Sequence, residues 1–141
     1  MAGTARRRAV LRLYLDTSAL VKLVHPEAET DALLRWLEER PDQPWVASAL
    51  VEAELVRAVR MAEPADLIHI PAVLARLDMV EIDGIVRANA EAISPANVRS
   101  LDAIHLATAL ELATDLTGLV AYDKRLGEAA EAAGLTWIAP R

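Results

Sequence analysis

Hydrophobic and polar positions along the chain switch repeatedly between a period of two and a period close to a helical turn. Leu11, Leu13 and Leu15 alternate with Arg12 and Tyr14, which predicts a strand over 10–15 ending at Asp16. Residues 18–24 suit a short helix, broken at His25-Pro26 because proline lacks a backbone N–H and drives the preceding residue out of the helical region. Leu33, Leu34 and Leu37 on a stretch with acids on the opposite side predict an amphipathic helix over 27–40, ended by Pro41 and Pro44. A weak strand over 45–47 follows. Ser48 reads as the N-cap of a helix over 49–61, in which Leu50, Val51, Leu55, Val56 and Val59 are interspersed with Glu52, Glu54, Arg57 and Arg60.

Past Pro64 the pattern weakens: 66–77 reads as helical with a disturbance at Pro71, 79–82 as a short strand, and 84–93 as a helix. Ser94-Pro95-Ala96-Asn97 is a loop. Ser100 is placed to cap a helix over 101–113, whose Leu101, Ile104, Ala107 and Leu112 suit a core. Gly118 reads as a turn, 119–122 as a strand ending at Asp123, 124–133 as a helix stopped by Gly134, and 135–138 as the final strand. Five strands separated by helices imply an α/β domain with a mainly parallel five-stranded sheet covered on both faces. No linker or repeat divides the chain. Residues 1–141 are therefore expected to form one domain, with 1–9 and its Arg6–Arg8 run as a mobile terminus. In such sheets ligands gather beyond the carboxyl ends of the strands, where the strand order reverses.

Composition narrows the class. Hydrophobic residues make up 54% of the chain but aromatics only 4%, and there are 28 Ala, 21 Leu and no Phe, a mix that favours closely packed helices and excludes a disordered chain. The lack of cysteine excludes disulfides and thiolate zinc sites. Arg6–Arg8 precede an apolar stretch as in a secretion signal, but Arg12, Asp16 and Lys22 interrupt it, and no uncharged apolar run reaches about 18 residues, so a cytoplasmic protein without a membrane segment is expected. A net charge of −6 opposes general adhesion to nucleic acid. A local acidic pocket can still reverse its sign by binding a divalent cation.

The candidate chemistry lies in four acids. Asp16 and Asp123 each end a strand and would point to the same sheet edge, Asp102 begins a helix that could start near it, and Glu54 sits within a largely apolar helix. Each also has a purely structural reading: helix capping for Asp16 and Asp123, a favourable helix-dipole charge for Asp102, and an ion pair with Arg57 for Glu54. Convergence would separate the two readings, because capping gives no reason for carboxylates to gather and repel one another. Gathered carboxylates suit an oxygen-seeking cation such as Mg2+ or Mn2+, which keeps several waters and uses few protein oxygens. Such a metal activates water and stabilises a leaving oxygen, so phosphodiester hydrolysis is the natural chemistry.

Four segments carry a resemblance: Tyr14-Leu15-Asp16-Thr17-Ser18-Ala19-Leu20-Val21-Lys22, Glu54-Leu55-Val56-Arg57, Leu101-Asp102-Ala103-Ile104-His105-Leu106-Ala107-Thr108-Ala109 and Tyr122-Asp123-Lys124-Arg125-Leu126. In order and spacing they resemble the motifs of PIN-domain ribonucleases, specifically the VapC-type toxins of bacterial toxin–antitoxin systems, over about 13–138. The resemblance implies a PIN-like α/β/α sandwich and a metal-dependent endoribonuclease that cuts RNA. It implies Asp16, Glu54, Asp102 and Asp123 as catalytic metal ligands for Mg2+ or Mn2+, and it prefers Glu54 to Glu52. It further implies a VapB-like antitoxin as inhibitor and a homodimer. The family pattern often carries a hydroxyl residue two places before its last Asp, where this chain has Ala121.

Other residues have two readings each. Thr17 or Ser18 orients metal-bound water or caps a helix; His105 approaches the cleft or serves as a hydrogen-bonded structural histidine, the latter preferred. Lys22, Arg99, Lys124 and Arg125 hold RNA phosphates or are solvated charges, and Trp36, Trp45 and Trp137 read as core or interface residues. Two rival functions share the acidic-pocket logic. A receiver-like phosphoacceptor domain does not call for carboxylates on helices at Glu54 and Asp102, and a non-catalytic RNA- or protein-binding module would bind without turnover.

Overall fold

The computed structural model describes residues 10–141, so the expectation for 1–9 lies outside the described residues. Five strands, β1 (Arg12–Leu15), β2 (Trp45–Ser48), β3 (Leu77–Val80), β4 (Leu116–Val120) and β5 (Trp137–Ile138), form one parallel sheet in the order β3-β2-β1-β4-β5. Between them run α1 (Thr17–Val24), α2 (Thr30–Glu38), α3 (Val51–Ala62), α4 (Ile70–Leu74), α5 (Gly84–Glu91), α6 (Ser100–Glu111) and α7 (Lys124–Ala132). The sheet grows outward from β1 in both directions: β2 and β3 add on one side, β4 and β5 on the other. The β1–β4 boundary is thus where the strand order reverses, and a crevice is expected at the carboxyl ends of those two strands.

Alternation along β1 explains the sandwich. Leu13 and Leu15 face a core with Leu20, Leu33, Val51, Leu55 and Val59 from α1–α3, while Tyr14 faces the opposite core with Leu106, Ala109, Leu126 and Ala130 from α6 and α7. Small alanines on α6 and α7 let those helices approach the sheet closely. Tyr14 is thereby the one fully buried polar side chain of β1, and it lies on the α6 side, which sets the site geometry below.

Several local expectations need correction, among them these four. Gly118 lies inside β4 rather than in a turn: a Cβ there would sit 2.6 Å from the Thr136 carbonyl oxygen and 2.7 Å from Ile138 Cδ1, so glycine is what lets β5 close on β4. Ser48 is the last residue of β2, fully buried, although its Oγ still accepts from Leu50 N at 3.2 Å just before α3. Ser100 is the first residue of α6 and Arg99 the cap, with no side-chain capping bond. β3 begins two residues earlier than its sequence pattern implied, at Leu77, because pairing with Trp45–Ser48 fixes its register.

Candidate active site

Asp16 and Asp123 leave β1 and β4 at the same edge. Asp16 N donates to Val120 O at 3.0 Å, and the Asp16 carboxylate caps α1 by accepting from Ser18 N (3.1 Å) and Ser18 Oγ (2.7 Å). The Ser18 hydroxyl in turn accepts from Tyr122 N at 2.9 Å, stitching the segment that carries Asp123 to the one that carries Asp16. Asp123 caps α7, its Oδ1 accepting from Arg125 N (2.9 Å) and Leu126 N (3.3 Å). Both capping readings are therefore realised, and through one oxygen of each carboxylate. Asp123 therefore has hydrogen-bond support from two backbone donors although position 121 is Ala.

Glu54 does not pair with Arg57. Its Oε1 accepts from Thr17 Oγ1 at 2.8 Å and lies 2.6 Å from His105 Nε2, which is also 3.6 Å from Asp16 Oδ1. Glu52, two positions away, is exposed. His105 is 1% exposed, and its Nδ1 lies 2.8 Å from the Tyr14 hydroxyl, which accepts from Ser48 N at 3.1 Å. The Glu54 carboxylate can only accept, so His105 Nε2 donates to it, while Nδ1 pairs with the Tyr14 hydroxyl on the other side of the ring. Burial, the largest influence, favours neutral imidazole. The Glu54 hydrogen bond and the charges of Asp16, Glu54 and Asp102 together outweigh it and raise the His105 pKa above its ordinary value. His105 is thus a buried, hydrogen-bonded histidine that also reaches the acidic edge, and it joins three carboxylates electrostatically.

Asp102, in the first turn of α6, completes the group. Its pKa is raised, first by desolvation and then by the like charges of Asp123 and Asp16, with His105 and Arg99 pulling the other way. All four acids expected from the sequence therefore meet at the carboxyl edge of β1 and β4. Asp16, Glu54 and Asp123 are anchored by hydrogen bonds, whereas none of the hydrogen bonds among the described residues reaches the Asp102 carboxylate.

The donor chemistry suits a hard divalent cation: every candidate ligand is a carboxylate oxygen. Among the described residues no three acidic or histidine side chains converge tightly enough to cage one ion.

Of the four cations considered as phosphate holders, Lys22 drops out. It is buried, 2.8 Å from Glu29 Oε2 and 3.5 Å from Glu27 Oε1, with its ammonium over the Tyr122 ring. Lys124 reaches Glu128 at 3.7 Å. Trp45 is buried and stacked by Arg76, Trp36 carries Arg40, and Trp137 donates from Nε1 to Ala121 O at 2.8 Å, so all three serve packing. Sequence reasoning missed Tyr14 as a site residue; its one signal was a lone polar ring at an inward position of β1.

This arrangement is that of a PIN-like nuclease fold, and the PIN domain family model matches residues 13–132, so the chain belongs to the PIN-domain family. Within it the chain is of the VapC type. It is 53% identical over 130 residues to Ribonuclease VapC35 of Mycobacterium tuberculosis, an alignment covering 91% of this chain and 96% of that protein. It is 44% identical to Ribonuclease VapC46 of the same species, covering 91% and 97%. Among solved structures it is similar in fold to VapBC2 from Rickettsia felis bound to a promoter DNA fragment (TM-score 0.71, 15% identity, covering 93% of this chain and 100% of that one). It is similarly close to M. tuberculosis VapC20, a sarcin–ricin loop cleaving toxin (TM-score 0.71, 17% identity, 91% and 99%).

Proposed function

We propose that this protein is a metal-dependent endoribonuclease toxin, held inactive by a VapB-like antitoxin and acting as a homodimer, with Asp16, Glu54, Asp102 and Asp123 as its catalytic metal ligands. The observation that carries the reading is the meeting of four carboxylates at the sheet's switch point in a chain whose relatives are named ribonucleases. Bound Mg2+ or Mn2+ would supply polarisation of the scissile phosphate and a more acidic water. The chain's own residues prepare that chemistry. Asp16 and Asp123 hold one oxygen each on backbone N–H groups, which fixes the carboxylate planes. Glu54 is steered by Thr17 and by His105, itself clamped by Tyr14. Asp102 retains both oxygens for a cation.

Cleavage of a defined RNA with added Mg2+ or Mn2+, and its loss in EDTA, tests the metal requirement. Asp16→Asn and Asp102→Asn should each remove at least about a hundredfold in kcat, a loss of about 2.7 kcal/mol of transition-state stabilisation, with the fold retained. Full activity in both variants, or cleavage undiminished by EDTA, overturns the assignment.

A further inference from the structure

Beside Asp102 lies a cleft of about 410 Å³ whose walls are the 95–99 loop and one stripe of α7. Arg125, Glu128, Ala129 and Ala132 follow the i, i+3, i+4, i+7 spacing of a single helix face, and Arg99 and Asp102 stand three apart at the start of α6. Its volume falls within the range of about 300–1,000 Å³ found for small-ligand sites. The lining is chemically divided. Val98, Ala129 and Ala132 give apolar surface for a base or ribose, and Arg99 and Arg125 give two exposed guanidinium groups. Neither arginine lies within ion-pair distance of a carboxylate among the described residues. Arg99 is nevertheless close enough to the acidic edge to oppose the rise in the Asp102 pKa.

We propose that this cleft seats the nucleotide adjacent to the scissile phosphate of single-stranded RNA, with Arg99 and Arg125 gripping its flanking phosphates. The inference rests on the nuclease reading and adds to it a substrate subsite and two positioning residues. An acidic centre repels a polyanion, so a strand can approach Asp16 and Asp102 only if cations placed beside them offset that repulsion. Arginine suits the task because its planar fork binds phosphate oxygens in pairs. Of the cations near the edge, Lys22 and Lys124 already face carboxylates, and these two do not.

The test is equilibrium binding of a fluorescein-labelled single-stranded RNA to the full chain in EDTA at several low salt concentrations. This readout needs neither metal nor cleavage. Arg99→Ala/Arg125→Ala should weaken binding about tenfold or more at low salt and make the log–log salt dependence shallower by about 1.4, the share of two phosphate contacts to a single strand. Arg57→Ala/Arg60→Ala, which removes the same charge from a separate depression on α3, should leave that slope unchanged. All four side chains are exposed, so melting temperatures should match the wild type. Equal affinity and slope for the α6/α7 variant and the wild type overturn the proposal, as do equal losses in both double variants or a wild type that binds no RNA at low salt. A binding loss confined to Arg99 and Arg125 in a protein that cleaves nothing would uphold the cleft and refute the nuclease reading; wild-type cleavage with unchanged binding in the variant would do the reverse.

Discussion

Replacing Tyr14 by Phe isolates the polar clamp from the packing around it. The ring is fully buried and Phe keeps its shape, so the variant removes one oxygen and little else. That oxygen has two partners, Ser48 N at 3.1 Å and His105 Nδ1 at 2.8 Å, and both are left in the dry interior between β1 and α6. Leaving a buried group unpaired costs about 1–3 kcal/mol, and losing the phenol's own desolvation returns part of it, so the two orphans together should destabilise by about 2–4 kcal/mol. For a chain of 141 residues, at about 3–4 °C per kcal/mol, the melting temperature should fall by about 6–16 °C. Thermal unfolding followed by circular dichroism measures this. Tyr122→Phe is the internal comparison: it removes only the bond to Pro140 O at a half-exposed site and should cost less than about 1 kcal/mol. The clamp also orients His105 and through it Glu54, so RNA cleavage by Tyr14→Phe should lose kcat with KM nearly unchanged. A melting temperature within about 2 °C of wild type would refute the clamp, since that shift corresponds to well under one kcal/mol.

The protein's two tyrosines provide a second check. Burial raises both phenol pKa values above the ordinary 10.0, Tyr122 to about 12 and Tyr14 further, so at pH 10 the ultraviolet phenolate band of the folded protein should stay near its neutral baseline and appear only on denaturation. Half-ionised tyrosine in the native protein at that pH would contradict the burial of these rings. A third check concerns Asp102. Its folded-state pKa is raised, so the folded protein binds the proton more tightly than the unfolded chain, and stability declines as pH rises from the ordinary value of 3.8 through the folded pKa. In metal-free buffer at neutral pH, Asp102→Asn should therefore melt at or above the wild type while losing RNA cleavage; a clear drop in melting temperature would mean that the carboxylate contributes to stability instead.

Strand–helix alternation and the placement of Asp16, Asp102 and Asp123 could be read from the chain because each depends on local geometry: a strand that ends in an acid, or an acid in a first helical turn. Glu54 shows where local reading stops. Its sequence neighbours offered Arg57 at i+3, yet its partner is His105, 51 residues away, because burial of the Leu55 side of α3 turns Glu54 toward α6. Gly118 and Lys22 failed for the same reason. A glycine beside Thr117 signals a turn until one knows that β5 passes within 3 Å of its missing side chain. A lysine on a short helix looks solvated until Glu27 and Glu29 fold over it. Gly127 repeats the lesson, since only the fold brings the Trp137 indole against it.

The way the four acids are held also ranks them. Gathering carboxylates at one edge is repulsive, and the fold offsets that repulsion unevenly: backbone N–H groups serve Asp16 and Asp123, and Thr17 and His105 serve Glu54. Asp102 receives no hydrogen bond from any described side chain or cap, and its pKa is raised in consequence by burial and by its acidic neighbours. The three anchored acids already have hydrogen-bond donors on at least one oxygen, so a cation has less to offset there. Asp102 gains most from a positive charge, whether from a bound metal on one side or from Arg99 on the other. An acid left under-compensated in this way favours cation binding over its own stability. If the proposed metal-dependent reading holds, Asp102 should therefore be the acid that gains most from a bound cation while contributing least to the fold.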